Sequence, residues 1–180
     1  MLEQRIQQQF FEGADLQYQT AEALARPIAE AVAAVVSSLT AGGKLLLCGQ
    51  GGGTLLAQHA AALLVGRLER ERPPLAALHL APEPRAIQAL GLPGDLLLLI
   101  DPAAADLDAS MAVIRAAQGK DMTVVLLVGA SGAGLRETLA ETDVLITVPH
   151  ERASRVLEAQ LLGLHALCDA VDVQLMGDQE

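Results

Sequence analysis

At 180 residues the chain is long enough for one full hydrophobic core; 52 % of it is hydrophobic, only 2 % aromatic and none Trp, so that core is aliphatic. A formal net charge of −10 argues against direct DNA or RNA binding, which needs a basic patch. It leaves room for one small phosphate held by backbone amides, or for a protein partner that itself binds DNA.

The opening MLEQRIQQQF has neither a basic segment nor an apolar core, so no secretory signal is expected, and the longer apolar runs carry polar interruptions that argue against a membrane span. Cys48 and Cys168 read as buried thiols, not a disulfide framework, which points to the cytoplasm.

Residues 2–12 place Leu2, Ile6, Phe10 and Phe11 on one helical face, with Gly13 as a candidate break. A long helix is expected over 14–40, striped by Leu16, Leu24, Ile28, Val32 and Val35 and interrupted at Pro27. Both stripes are more apolar than one domain face requires, which suggests a helical interface between copies.

Lys44 to Cys48 is a solid apolar run that reads as a strand buried on both faces. Gly49, Gly51, Gly52 and Gly53 follow, and Thr54 is placed to cap a helix from Leu55 to about Arg67. Strand, glycine loop and helix N-terminus in that order make an anion site. The loop is neither GxGxxG in register nor a P-loop, so both common nucleotide fingerprints fail, and a tight turn that binds nothing explains the glycines equally well. Arg67, Arg70 and Arg72, in the polar break after this helix, read as a solvated surface.

Further strands are expected over 75–80, 95–100, 123–128 and 144–148. Short helices are expected near 85–90 and 135–140, a longer one from Asp106 to Gly119, and a last long helix over 152–176. Alternating strands and helices predict an α/β fold, a three-layer, doubly wound, five-stranded parallel sheet with long N- and C-terminal helices. One domain spans 1–180, with N-terminal helices at 1–40, an α/β core at 42–150 and a C-terminal helix at 152–176. Such sheets bind ligands beyond the carboxyl ends of the strands, which gathers the loops 49–54, 101–106 and 129–134 around one crevice. His59 is expected to face the crevice or core, His79 to be a satisfied buried histidine, His150 to rim the crevice, and His165 to pack at a helix contact.

The passages CGQGGG with QH beyond it, GR followed by ERP, and the helix entry ERASRVLEAQ resemble the SIS (sugar isomerase) family over nearly the whole chain. The nearest branch is similar to phosphoheptose isomerases and to the initiator-associating proteins that bind DnaA. The resemblance implies a phosphosugar-type crevice built from Gly49, Gly51, Gly52, Gly53, Thr54 and His59. It also implies a loss of acid–base chemistry: Ala62 stands where the family's catalytic Glu is expected, and Leu157 and Gln160 stand where its Gln and His are expected. Zinc or substrate ligation would be lost with them. The loop Asp101 to Asp106 replaces a Ser/Thr-rich phosphate cradle with a carboxylate and alanines. The reading that follows is a catalytically inactive homotetramer, a dimer of dimers, that binds the initiator DnaA and promotes timely replication initiation. Leu175 and Met176 are its candidate partner anchors, and no cofactor or metal is expected. The alternatives are a sedoheptulose 7-phosphate isomerase, or a sugar-phosphate sensor without turnover.

Overall fold

The fold was obtained as a computed structural model that describes residues 1–177. Helix α1 runs Leu2–Thr40, strand β1 Leu45–Gly49, α2 Gly53–Val65, β2 Ala77–His79, α3 Pro84–Leu90 and β3 Leu96–Asp101. Then come α4 (Leu107–Gln118), β4 (Thr123–Gly129), a 3₁₀ helix (Ala130–Thr138), β5 (Val144–Val148) and α5 (Ala153–Met176). The five strands form one parallel sheet in the order β2-β1-β3-β4-β5.

The inner strands β1, β3 and β4 are nearly unbroken aliphatic runs because both faces of the sheet are covered there. Side chains alternate between the faces with period two. Leu45, Leu47, Leu98, Ile100, Val125 and Leu127 point to the layer of α1, α2 and α5. Leu46, Cys48, Leu97, Leu99, Val124 and Leu126 point to the layer of α3 and α4. Strand order reverses between β1 and β3, where Gly49 pairs with Ile100, so the switch point lies at the glycine loop.

Several expectations are corrected. The two N-terminal helices are one, α1, continuous through Gly13 and Pro27. Gly13 is kept helical by tertiary contact: a Cβ there would sit 3.5 Å from Arg155 Nη1 and Glu158 Oε2 of α5. Pro27 removes one backbone donor, but Leu24, Ala31, Val32 and Val35 on either side of it are buried, and that packing outweighs the loss. The strand expected over 75–80 is ordered only as Ala77–His79, at the sheet edge. The short helix expected at 135–140 is instead the 3₁₀ helix that begins directly after β4. Among the described residues α1 is the one helix long and apolar enough to cross a membrane, by length and composition alone. Its buried side chains, from Leu16 to Ser38, lie in the core instead.

Candidate functional site

The glycine loop joins β1 to α2 under steric compulsion. A Cβ on Gly49 would meet the Gly53 carbonyl carbon at 2.1 Å, and one on Gly53 would meet Ile100 O at 2.2 Å, so the backbone itself fills both places. Gly51 adopts φ +51°, a conformation that costs other residues more. Gln50 N donates to Ile100 O at 2.9 Å, Gly53 N to Gln50 O at 2.8 Å, and Thr54 N to Gly51 O at 3.2 Å. The amides of Gly51 and Gly52 take no part in these turn bonds, which makes them the loop's candidate donors to an anion. Thr54 does not cap α2. Gly52 occupies the cap position, and Thr54 Oγ1 donates back to Gly49 O at 2.7 Å, committing its proton to the loop.

The other two loops close on the first. Pro102 lies near the Cβ positions of Gly52, Gly53 and Gly129. Asp101 is buried, and its oxygens accept from Ala104 N at 2.8 Å and Ser110 Oγ at 2.8 Å. That carboxylate braces its own loop. Leu157, on the first turns of α5, sets its Cδ1 2.8 Å from the Cβ position of Gly52. Leu157 and Pro102 therefore stand beside the glycines where the loops meet.

His59 stands seven residues after Gly52, roughly 10 Å farther along α2 at the helical rise. There it meets His165 of α5, with the two Nε2 atoms 2.8 Å apart and the rings 5.1 Å apart and edge to face. His165 thus packs at a helix contact, and the side chain it meets there is His59. Two imidazoles sharing one proton between Nε2 atoms form a donor–acceptor couple, and both rings are partly exposed. One turn beyond His59, α2 offers Ala62 and Leu63. One turn beyond His165, α5 offers Asp169, which faces Arg70 at 4.0 Å. Among the described residues no group of three or more His, Cys, Asp or Glu is arranged to hold a metal ion. Catalytic zinc takes three protein ligands. The histidine pair supplies two, so the described side chains do not make a zinc site of that kind.

The remaining candidates scatter. Gln160 is fully buried; its Nε2 donates to Leu127 O at 3.2 Å and its Oε1 has no partner. His79 is not satisfied, since its Nε2 is buried without a hydrogen bond. His150 Nδ1 accepts from Arg152 N at 3.0 Å, and His150 lines a cleft with Glu12, Asp15 and Arg155. Leu175 is half-buried against the core, while Met176 is 44 % exposed. Arg72 is no surface cation. Its side chain is 1 % exposed and pairs with the equally buried Asp172 of α5, and its guanidinium also donates to the carbonyls of Leu63, Leu64, Gly66 and Pro73. It thereby satisfies the open C-terminus of α2. Burial pushes the Cys48 thiol up to about 12, and it does the same for Cys168, where Asp172 adds to the rise and Arg72 opposes it.

The SIS domain family model matches residues 9–92. The phosphoheptose isomerase of Methylibium petroleiphilum is 50 % identical over 197 residues, covering 100 % of this chain and 98 % of that protein. The phosphoheptose isomerase of Azoarcus sp. is 40 % identical, covering 98 % of each. Among solved structures, the phosphoheptose isomerase of Neisseria gonorrhoeae superposes with a TM-score of 0.86 at 30 % identity, covering 96 % of this chain and 99 % of that one. That of Francisella tularensis superposes with a TM-score of 0.87 at 30 % identity, covering 96 % and 98 %. With the sheet order, the glycine loop at the switch point and these full-length matches in agreement, the chain belongs to the SIS-domain family, in its phosphoheptose isomerase branch.

Proposed function

We propose that the chain is a cytoplasmic phosphoheptose isomerase-type protein that binds a sugar phosphate and moves a proton between its adjacent carbons. The observation that carries this reading is the His59–His165 couple, at 2.8 Å. Aldose–ketose isomerisation needs one group to take a proton and one to give it, both within reach of the substrate. The imidazole that donates the shared Nε2 proton has a bare Nδ1 that can accept a proton, and its partner, protonated at Nδ1, can return one to the neighbouring carbon or oxygen. Full-length relatives named phosphoheptose isomerase support sedoheptulose 7-phosphate as the substrate to try first. The amides of Gly51 and Gly52 at the α2 N-terminus are the donors for its phosphate. The test is NMR in D₂O. Turnover through an enediol replaces the substrate proton next to the carbonyl with deuterium, and His59→Asn abolishes that exchange.

Self-association, as a homotetramer, is part of the proposal. The first turns of α1 expose Leu2, Phe10, Phe11 and Tyr18 by 63 to 82 %. The α1–α5 groove beside them is lined by Ala21, Ala25, Gly163 and Ala166, small residues that leave room for large ones. The three rings alone present roughly 300–500 Å² for burial, a large part of what one partner contributes to a stable interface. Sedimentation velocity of wild type and of a Phe10→Glu/Phe11→Glu variant tests it; the variant is expected to dissociate.

A second reading, a DnaA-binding scaffold without turnover, is favoured by one observation. Leu157 and Pro102 stand beside the glycines where the loops meet, and the 101–106 loop contains no Ser or Thr. Binding of purified DnaA without isomerase activity would establish that reading over the first.

A further inference from the structure

Among the described residues Leu157 is the one side chain within 3 Å of the position a Cβ would take on Gly52, with Pro102 Cγ next at 4.0 Å. Its placement follows from the fold. Leu157 is the fifth residue of α5, half-buried, on the helix face that carries Leu161 and then His165 along the α2 seam. The same helix face therefore puts a methyl over the glycine loop and an imidazole against His59, two turns apart. Gly52 itself is exposed, and its amide is one of the two not used in the turn. An apolar methyl packed at the Cα of Gly52 takes up room through which an anion would reach that amide, and it supplies no donor in exchange.

We infer that Leu157 is the specificity-determining side chain of the crevice: it narrows the Gly51–Gly52 anion site and weakens its hold on a phosphate. This inference rests on the reading of the loop as the phosphate end of a sugar-phosphate site. Shortening Leu157 opens the space, and replacing it with Ser puts a hydroxyl donor one bond short of where the methyl stood, with the vacated room between it and the loop for an anion. One added hydrogen bond to a charged group corresponds to about a tenfold gain in affinity.

The test is calorimetric titration of wild type, Leu157→Ala and Leu157→Ser with inorganic phosphate, with sedoheptulose 7-phosphate and with the unphosphorylated sugar. Leu157→Ser is expected to bind both phosphate-bearing ligands about tenfold more tightly than wild type, Leu157→Ala to gain less, and neither to gain for the neutral sugar. If both variants bind phosphate no more tightly than wild type, the inference is overturned. Equal gains for the neutral sugar would overturn it too, since they would report a loosened crevice without anion selectivity. Wild-type turnover of sedoheptulose 7-phosphate judges the underlying reading separately. A wild type without turnover whose Leu157→Ser variant gains phosphate affinity would retain the gate and remove the isomerase.

Discussion

Replacing Arg72 with Met keeps most of the side-chain volume and removes the guanidinium. The loss is then electrostatic. Asp172 stays 1 % exposed with its charge partner gone, and the carbonyls of Leu63, Leu64, Gly66 and Pro73 lose donors that stood 2.9 to 3.2 Å away. Breaking a buried ion pair on one side costs about 3–5 kcal/mol, because the stranded charge has no water to turn to. For a chain of this size each kcal/mol lowers Tm by about 2–4 °C, so the variant is expected to melt roughly 10–15 °C below wild type at neutral pH. Adding Asp172→Leu removes the stranded charge, and the double variant is expected to regain most of the loss. Scanning calorimetry of the three proteins reads this directly, and the reactivity of Cys168, which Arg72 and Asp172 both influence, gives a local signal. The reasoning is refuted if Arg72→Met melts within 2 °C of wild type, a margin below the effect of about one kcal/mol, or if the double variant is no more stable than the single.

Further outcomes follow from the same geometry. Burial raises the Asp95 carboxyl, but the Lys44 ammonium at 2.5 Å and the amides of Lys44 and Leu92 outweigh it and hold the group below its usual range. A depressed folded value gives stability that is present above the unfolded pKa, about 3.9, and is lost as pH falls through the folded one. Asp95→Asn is therefore expected to melt lower than wild type at pH 7 and to show a smaller loss on acidification, which melting curves from pH 7 to pH 2 would reveal. Gly53→Ala drives a methyl against Ile100 O and is expected to cost about 1–3 kcal/mol or more in denaturant unfolding. Gly51→Ala, with open space around it but φ +51°, is expected to cost about 1 kcal/mol. Cys48 and Cys168, both pushed up to about 12, should resist a thiol reagent at pH 8 until the protein is unfolded. Rapid labelling of the native protein would contradict that burial.

The sheet was legible because its strands are solid runs such as Leu96–Asp101 and Thr123–Gly129, which period and length identify without any tertiary knowledge. The glycine loop was legible for the same local reason. What was not legible depended on distant residues. Gly13 reads as a break until Arg155 and Glu158 pack on it from α5. Arg72 sits in a run of charges and reads as surface, yet its partner Asp172 lies 100 residues on. Thr54 has the composition of a cap, but its hydroxyl turns back to Gly49 instead. The His59–His165 couple is the main miss. Each histidine sits half-buried on the packed face of its helix, and a polar residue there needs a partner. That signal was present on α2 and on α5, but pairing the two required knowing that these helices lie side by side.

The central claim is that His59 and His165 exchange protons with a sugar phosphate, and turnover of sedoheptulose 7-phosphate by wild type, His59→Asn and His165→Asn tests it most directly. The account predicts measurable isomerisation by wild type and a loss of about 10²–10⁴-fold in kcat for each variant, with folding intact. Wild type without turnover, or either variant retaining the wild-type rate, would contradict it.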